Sequence, residues 1–363
     1  MRYCFAVSAQ AVPTLSSAIE VIPAECYENP TWKGLLYVGR ALAVYAATLA
    51  ALFWAEAWWL VLPLWILSGL SLTGLFILAH DSAHGALFKS RRLCYGVGQF
   101  LMLPTLHMYE AWVLGHNRLH HGHTVRGGAD FVWHPLTAEQ YEALSPFRKL
   151  RHRIEWSWLG AGLYYMRDVW WEKMIRLTPP KKWASAINRD WWIVMTFFAT
   201  ATAGLGTLGY LHYGSLGGGV WLWLKLLIVP WVAFNYAIGI AVYIHHIAED
   251  IPWYKRHEWT KFKGQVQGTT IFKAPRWLDF FFHQIFLHVP HHVDMRIPFY
   301  GLPAAAEAIR AKFGDLVREQ PLTLSSYLRT TRRCKLYDFE RKTWSPYRGG
   351  ARKPLAALAS ARS

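Results

Sequence analysis

Residues 41–84 read ALAVYAATLAALFWAEAWWLVLPLWILSGLSLTGLFILAHDSAH. Before its first histidine, this stretch carries one charged side chain, that of Glu56. A helix that crosses a bilayer needs about 20 mainly apolar residues, so the run is long enough for two. It predicts a helical hairpin with spans of about Leu36–Ala55 and Ala57–Ala79 that turns at Glu56.

A second apolar region predicts a second hairpin. Trp191–Leu211 has no charged residue, and Val220–Ile244 has only Lys225. The turn between these spans is expected to contain His212–Gly219. Pro230 would disrupt an exposed helix, but neighbouring helices in a membrane protein can satisfy the carbonyl that it frees. The sequence therefore predicts an all-α integral membrane protein with four spans.

The composition agrees with this fold class. The chain has 363 residues, of which 53% are hydrophobic and 17% charged, and its formal net charge is +16. This hydrophobic content excludes a disordered chain, and four scattered cysteines exclude a disulfide scaffold or zinc ribbon. A high apolar content beside many basic residues is typical of a membrane protein with basic flanks.

The positions of Lys and Arg predict the orientation. Residues 80–190 contain 15 of them, residues 245–363 contain 20, and the two short turns contain none. By the positive-inside rule, both termini and both polar regions are expected in the cytoplasm. Residues 1–347 are then one membrane domain with a cytoplasmic helical cap, and residues 348–363 are a disordered tail. The charge indicates topology and attraction to anionic lipids rather than nucleic-acid binding.

Three further apolar segments are too short or too mixed to span. Leu93–Leu106 is expected to be re-entrant or interfacial. Glu155–Trp171 and Arg276–Leu287 mix aromatic and charged residues, which is typical of helices that lie at the headgroup boundary.

Three histidine motifs follow or lie near the ends of these apolar segments. They are His80-Asp81-Ser82-Ala83-His84, His116-Asn117-Arg118-Leu119-His120-His121 and His288-Val289-Pro290-His291-His292. Residues four apart lie on one face of a helix, so the pairs with that spacing can converge on one metal. One such motif can arise by chance. Three of them on the predicted cytoplasmic side indicate a metal site.

The number of histidines indicates two metals. A further pair, His245-His246, follows the fourth predicted span. Eight or nine imidazoles are too many for one zinc, which takes four ligands. Imidazole suits iron, copper and zinc, so the ligands alone do not identify the element. Soluble di-iron bundles use Glu-x-x-His motifs, and the chain has no such repeat.

These motifs, their order and the two hairpins resemble the membrane fatty acid desaturase family. The similarity extends over roughly Leu36 to Asp338 and is densest in Gly268–Ala304. The stretches that resemble the acyl-lipid Δ12/ω6 branch are Pro275-Arg276-Trp277, His288-Val289-Pro290-His291-His292, Arg296-Ile297-Pro298, Tyr243-Ile244-His245-His246 and Ile251-Pro252. Ser82-Ala83 and the three residues before the His120-His121 pair differ from that branch. The regiochemistry therefore stays open.

The resemblance implies a non-haem di-iron centre, with O2 as the oxidant and a separate electron donor of the ferredoxin or cytochrome type. The implied ligands are His80, His84, His116, His120, His121, His246, His288, His291 and His292. His245 is the alternative to His246, and His283 is a further candidate near the third motif. The implied reaction removes two hydrogens from adjacent methylenes of a fatty acyl lipid or fatty acid.

Other functions remain open at this point. The same fold could carry a hydroxylase, an acetylenase, a ketolase or an oxidative decarboxylase that forms a terminal alkene. Different classes are a membrane zinc hydrolase and a metal transporter. The chain has no His-Glu-x-x-His motif, and its spans are almost free of ionisable residues, which a transporter would need.

Residues around the motifs are expected to support or surround the site. Carboxylates near them could orient the ligand imidazoles, although solvation or helix capping is the simpler role for each: Asp81, Glu110, Asp130, Glu249, Asp279 and Asp294. Similar ambiguity applies to His107, His123 and His134. His152, His212 and His257 are expected at the surface.

Overall fold

The computed structural model describes residues 12–347 and is mostly helical. In this part of the chain, four helical segments are long and apolar enough to cross a membrane. The chain begins with α1 (Leu15–Ile19) and a 3-10 turn (Ala24–Tyr27), and continues into α2 (Thr31–Trp54) and α3 (Trp58–Ala83). The predicted turn at Glu56 is confirmed, and α3 extends four residues past Ala79 so that it carries His80.

The region after α3 is built from short helices. Its elements are α4 (Arg91–Met102), a 3-10 turn (Leu103–Thr105), α5 (Tyr109–Trp112), a π-helix (Val113–His120), α6 (His121–His123), α7 (Ala138–Glu142), α8 (Pro146–Glu155), α9 (Ala161–Tyr164) and a second π-helix (Tyr165–Ile175). The helix predicted over Glu155–Trp171 is interrupted, because α8 ends at Glu155 and the helix resumes only at Ala161. Gly160 lies there against the end of α8, where a Cβ would come within 2.0 Å of the carbonyl oxygen of Ile154.

The other two segments long and apolar enough to span a membrane are α10 (Ala184–Tyr213) and a continuous helical segment from Leu216 to His246. Gly214 between them has φ +68°, a conformation that favours glycine. The predicted turn over His212–Gly219 is therefore only two residues long, because helix resumes at Leu216.

The last span changes its helical form around its proline. It consists of α11 (Leu216–Trp223), a π-helix (Leu224–Ile228) and α12 (Val229–His246). Pro230 lies inside this continuous helical segment, one residue after the start of α12, so its missing N–H removes one backbone hydrogen bond from the helix. The π-helix before Pro230 absorbs the local mismatch, and π segments of this kind often occur at functional sites.

The C-terminal region adds helices and two small sheets. Its elements are a π-helix (Lys263–Gln267), β1 (Thr270–Lys273), α13 (Arg276–Phe282), α14 (His288–Val293), a 3-10 turn (Phe299–Gly301), α15 (Leu302–Phe313), a 3-10 turn (Gly314–Leu316), β2 (Arg318–Pro321), α16 (Leu324–Arg333), β3 (Leu336–Asp338) and β4 (Thr343–Ser345). The predicted tail, residues 348–363, lies outside the described residues.

The two sheets correct the all-α prediction. In the first sheet β1 pairs in parallel with β2, from Thr270 opposite Arg318 to Lys273 opposite Pro321. In the second sheet β3 pairs antiparallel with β4. The strands are three or four residues long, so they leave little periodicity in the sequence. The pairing of β1 with β2 also joins residues far apart in the chain, and a local sequence pattern cannot reveal such a contact.

The core lies where α3 packs against α12. Gly69 of α3 makes the close approach possible, because a Cβ there would lie 2.5 Å from the Cβ of Ala233. Gly239 of α12 similarly lies against α9, where a Cβ would lie 2.6 Å from the Ala161 carbonyl oxygen. This packing brings the C-terminal ends of α3 and α12, with their histidines, next to each other.

Candidate metal centre

Nine buried histidines form two groups. Within each group the candidate ligand nitrogens lie within 4.8 Å of one another. The first group contains His80, His84, His116, His121 and His291, and the second contains His120, His246, His288 and His292. The structure thus brings together all nine residues that the sequence singled out as ligands, five in one group and four in the other.

Helical spacing explains part of this division. His80 and His84 are four residues apart at the end of α3, and both belong to the five-histidine group. His288 and His292, at the two ends of one turn of α14, both belong to the four-histidine group. His291 points to the other group because it is offset from His292 by one residue, which is about 100° around a helix.

The second motif departs from the expected pairing. His116 and His120 are four residues apart, but they belong to different groups. The chain is π-helical over Val113–His120, and a π-helix has hydrogen bonds from i to i+5. His116 is therefore aligned with His121, and their Nε2 atoms lie 3.2 Å apart. The π form is what allows this motif to contribute to both groups.

The four-histidine group has the donor set of a metal site. Nδ1 faces an acceptor in every member: Asp130 for His120 at 2.8 Å, the Gly268 carbonyl for His246 at 2.9 Å, the Ile285 carbonyl for His288 at 3.2 Å and the Gln265 amide oxygen for His292 at 2.8 Å. These contacts place the proton of a neutral ring on Nδ1 and a lone pair on Nε2. The Nε2 atoms of His288 and His292 are only 3.1 Å apart. A cation relieves the repulsion between their lone pairs.

The five-histidine group also brings ligand nitrogens close together. The Nε2 atom of His80 lies 2.9 Å from that of His116 and 3.1 Å from that of His84. Its Nδ1 faces Asp81 at 3.2 Å, so this Nε2 also presents a lone pair. Within residues 12–347, the Nε2 of His291 has no hydrogen-bond partner. Both groups therefore fit a bound metal ion.

Burial favours the neutral form in three of these rings, and metal ligation requires that form. Burial, together with the neighbouring imidazoles, holds the pKa of His116, His121 and His291 well below the usual histidine value. A neutral ring can donate its nitrogen lone pair to a metal, whereas a protonated ring cannot.

Two of the six candidate carboxylates contact these histidines. Asp81 faces His80 and also accepts a hydrogen bond from the Phe299 backbone N–H at 2.8 Å. Asp130 accepts from His120 and from the N–H groups of Val125 and Val132, at 2.9 and 3.0 Å. Burial alone would raise the pKa of Asp130, but its contact with His120 lowers that pKa below the usual aspartate range.

The other four carboxylates have different surroundings. Asp294 binds Tyr27 and Arg296, and Glu249 pairs with Arg333. Within the described residues, Glu110 and Asp279 form no hydrogen bond to a histidine of either group. Proximity in sequence therefore did not predict which carboxylates contact the histidines. Whether a carboxylate reaches an imidazole ring depends on how the chain turns between the two residues.

Sequence reasoning missed Gln265 and Thr124. The amide nitrogen of Gln265 donates to the His121 carbonyl at 2.6 Å, while its oxygen accepts from His292. The Thr124 hydroxyl donates to the His120 carbonyl at 2.7 Å. Gln265 therefore connects the two histidine groups. Its position in a short polar stretch gave no signal, since the contacts come from elements far apart in sequence.

Replacing Gln265 with leucine should lower metal affinity and turnover by about 10–100-fold, the usual effect of removing a group that orients a ligand imidazole. The leucine leaves Nδ1 of His292 without its amide acceptor. Gln267→Leu is a matched control in the same π-helix, because Gln267 contacts Tyr254 instead. Metal content per chain and turnover should separate the variants, and equal values in both would contradict this role for Gln265.

A narrow apolar cavity of about 30 Å³ connects the two groups. Its walls include histidines from both groups: His80, His116, His120, His246 and His288. The remaining walls are almost entirely apolar and include Phe76, Val169 and Ile238. A space this small admits little water, and its lining offers few groups that could hydrogen-bond a polar substrate.

The two alternative candidates lie outside both groups. His245 lines the cavity and stacks on His288 with ring centroids 3.8 Å apart. His283 lies elsewhere, with its Nδ1 3.4 Å from Nη2 of Arg40. Of the adjacent pair, His246 is the residue whose nitrogen converges with other imidazoles.

The remaining histidines serve different purposes. His107 is buried, and its nitrogens face the Thr105 carbonyl and the Tyr165 hydroxyl. His123 and His134 are half-buried, and His212 and His257 are exposed as expected. The prediction of a surface position for His152 is wrong. This residue is buried, its Nδ1 lies 2.6 Å from the Tyr347 hydroxyl, and its ring stacks on Trp156.

Replacing His152 with alanine should lower the free energy of unfolding by about 1–3 kcal/mol at neutral pH, through the lost packing and the unpaired hydroxyl. Burial lowers the pKa of His152 to about 4, below its value of about 6.5 in an unfolded chain. The stability that the neutral ring contributes is therefore present above pH 6.5 and is lost as the pH falls towards 4. Thermal unfolding of the wild type and of His152→Ala between pH 4 and about 6.5 measures this contribution. The exposed His257→Ala variant should match the wild type, and a wild-type advantage that grows at lower pH would contradict the assignment.

Comparison with known proteins agrees with this site. The model of the family described as "Fatty acid desaturase" matches residues 56–321. The chloroplastic omega-6 fatty acid desaturase of Arabidopsis thaliana is 30% identical over 302 residues, which cover 83% of this chain and 64% of that protein. The sn-1 oleoyl-lipid 12-desaturase of Anabaena variabilis is 28% identical over 89% of each chain. The ferredoxin-dependent sn-1 acyl-lipid omega-3 desaturase of Nostoc is 28% identical over 85% of this chain and 84% of its own.

These matches favour an acyl desaturase over the hydroxylase, hydrolase and transporter alternatives. They span the region that contains all three histidine motifs. The chain belongs to the fatty acid desaturase family, whose members are oxidoreductases of lipid metabolism.

Proposed function

We propose that this membrane protein introduces a double bond of the Δ12/ω6 type into an acyl chain of a membrane glycerolipid. The observation that carries this proposal is the narrow apolar cavity shared by the two histidine groups. A methylene in that cavity would lie beside both metal positions. The Anabaena relative, an oleoyl-lipid 12-desaturase, supports the lipid-linked substrate and the position of the bond.

The nine histidines are the proposed ligands of two non-haem irons. Iron bound there would use O2 and externally supplied electrons to abstract hydrogen from an unactivated methylene. The protein would supply orientation and a dry environment. Asp130, Asp81 and Gln265 hold the rings in place, while Phe76 and Ile238 keep water from the cavity. Position along the slot then selects the carbon that reacts, through proximity.

A separate electron donor of the ferredoxin or cytochrome type is the proposed partner. The Nostoc relative is named as ferredoxin-dependent. The polar regions before and after the second pair of spans hold 35 of the 39 Lys and Arg residues, the sum of 15 and 20. A basic face attracts an acidic carrier and accelerates the encounter.

The same charge asymmetry supports the proposed topology. Two hairpins would cross the membrane, and both termini and the metal centre would lie in the cytoplasm. Residues 1–347 would form one domain, since the histidines of α3, α12 and α14 belong to shared groups. Cysteine labelling at the turn around Glu56 and at the exposed His257 should report opposite sides of the membrane.

The decisive experiment is the lipid product profile of cells that express the chain with a matched reductase, together with metal analysis of the purified protein. Dienoic chains with a new Δ12 bond and about two irons per chain are expected. Only hydroxylated or chain-shortened products would contradict desaturation. Stoichiometric zinc without oxidase activity, in protein purified from iron-replete cells, would favour hydrolysis instead.

A further inference from the structure

A polar cavity of about 440 Å³ lies apart from the metal cavity, between the first half of α2, helix α13 and the 3-10 turn at Phe299–Gly301. The charged residues that line it are Arg40, Arg276 and Asp279. Two guanidinium groups and one carboxylate therefore face the same space. None of the three belongs to the metal centre.

Arg40 lies in an unusual environment for a cation. It belongs to α2, the first membrane-spanning helix, and no carboxylate in residues 12–347 lies within 4 Å of it. Its Nη2 atom donates to the Phe280 carbonyl at 3.0 Å and faces Nδ1 of His283 at 3.4 Å. Both acceptors are neutral. A charged residue inside a span is costly and marks a functional site with a partner to be found.

The geometry around Arg40 keeps its other donors available. The guanidinium lies 4.9 Å from the ring centroid of Tyr37 and 4.4 Å from that of Phe280, which restricts its orientation. Guanidinium has five N–H donors, and both protein contacts use one nitrogen. The free donors match the oxygens of a phosphate, which arginine binds through parallel hydrogen bonds.

The rest of the cavity also favours an anion. Arg276 is exposed at the start of α13, and it too has no carboxylate within 4 Å among the described residues. The ammonium group of Lys33 lies 3.9 Å from the ring centroid of Tyr300, which lines the cavity. Among the described residues, Asp279 is the single carboxylate that lines the cavity. Positive charge thus exceeds negative charge at this position.

The backbone connects this cavity to the metal centre. His283 and Gln284 line the polar cavity, whereas Ile285 and His288 line the metal cavity. His283 and Gln284 have φ values of 45° and 59°, a left-handed conformation that is costly for residues other than glycine. Strain of this kind persists where the structure requires it, often at binding sites. Here the bend ends α13 and turns the chain from one cavity to the other.

We propose that the polar cavity binds the phosphate of an anionic glycerolipid headgroup, so that an acyl chain of the same lipid enters the metal cavity beside Ile285. This inference rests on the proposed function for its link to catalysis. Arg40 is nine residues into α2, about 13 Å along the helix axis. A long arginine side chain can extend from that depth to the headgroup region.

The first test measures lipid binding without turnover. Wild type, Arg40→Gln/Arg276→Gln and the exposed control Arg329→Gln are placed in nanodiscs with equal parts of dioleoyl phosphatidylglycerol and dioleoyl phosphatidylcholine. Protein-bound lipid is then quantified by native mass spectrometry. The double variant should retain about tenfold less phosphatidylglycerol, Arg40→Lys/Arg276→Lys should retain an intermediate amount, and the control should match the wild type. Equal retention in all proteins would overturn the site, and so would full displacement of the lipid by millimolar inorganic phosphate.

The second test links binding to the reaction. Cells that express each variant are analysed for double bonds in each lipid class. We expect a loss of about tenfold in new double bonds of phosphatidylglycerol in the double variant, with neutral lipids less affected. Reduced retention with unchanged products would overturn the substrate role. A wild type that retains phosphatidylglycerol but forms no double bond would refute the proposed function and leave the headgroup site supported.

Discussion

Replacing His291 with alanine should abolish turnover and reduce iron content. His291 belongs to the five-histidine group, and within the described residues its Nε2 has no hydrogen-bond partner. Loss of a ligand should exceed the 10–100-fold effect of removing a supporting residue, so activity is expected to fall below detection. Iron analysis and product formation from purified protein measure both effects.

The folded state should survive this change, and that distinguishes a ligand from a core residue. Wild-type protein should gain thermal stability when iron is added, because a metal that binds only the native state shifts the unfolding equilibrium. The His291→Ala variant should lose most of that gain. His257→Ala is the control, since His257 is exposed and remote from both groups. Full activity in His291→Ala would contradict the assignment of this residue as a ligand.

Replacing Asp130 with asparagine should produce the second largest effect. One carboxylate oxygen accepts from His120 and from the Val132 N–H, and the other accepts from the Val125 N–H. The single side-chain oxygen of asparagine can replace only one of the two carboxylate oxygens. Its amide group would then place a donor against another donor, so the free energy of unfolding should fall by about 1–3 kcal/mol.

The same substitution should lower metal affinity and turnover by about 10–100-fold, because His120 loses a charged partner that fixes its proton on Nδ1. Asp250→Asn provides a matched control. Asp250 is half-exposed and pairs with Arg318, and such a pair contributes at most about 1 kcal/mol. Iron titration and chemical unfolding would test both effects. A variant that binds iron as tightly as the wild type would show that Asp130 has no role in orienting His120.

The apolar spans and the site histidines could be read from the sequence with few errors. Four long apolar helical segments are present, and their ends lie up to seven residues from the predicted span boundaries. The nine histidines singled out as ligands are those that converge. Both outcomes depend on local properties. A run of about 20 apolar residues indicates a span, because only lipid can cover so much apolar surface. A group of buried histidines indicates a metal site, because their nitrogens need a shared partner.

The division of those histidines into groups of five and four could not be predicted from the sequence. The helical spacing rule paired His116 with His120, but the π-helix aligns His116 with His121. A π-helix forms where tertiary packing compensates for its poorer geometry, so residue spacing alone could not reveal it. The roles of Gln265 and Asp130, and the burial of His152, depend in the same way on contacts between distant segments.

The sequence by itself determined that this chain has four segments long and apolar enough to span a membrane, that its positive charge lies in two polar regions, and which histidines are the candidate metal ligands. These properties follow from the composition and spacing of neighbouring residues. Only the tertiary structure decided that the histidines form groups of five and four around one narrow cavity, and that Arg40 faces a separate polar cavity. The reason is physical. Hydrophobicity and helical periodicity act within one segment, whereas each cavity is enclosed by segments from distant parts of the chain, and its shape exists only after they have packed.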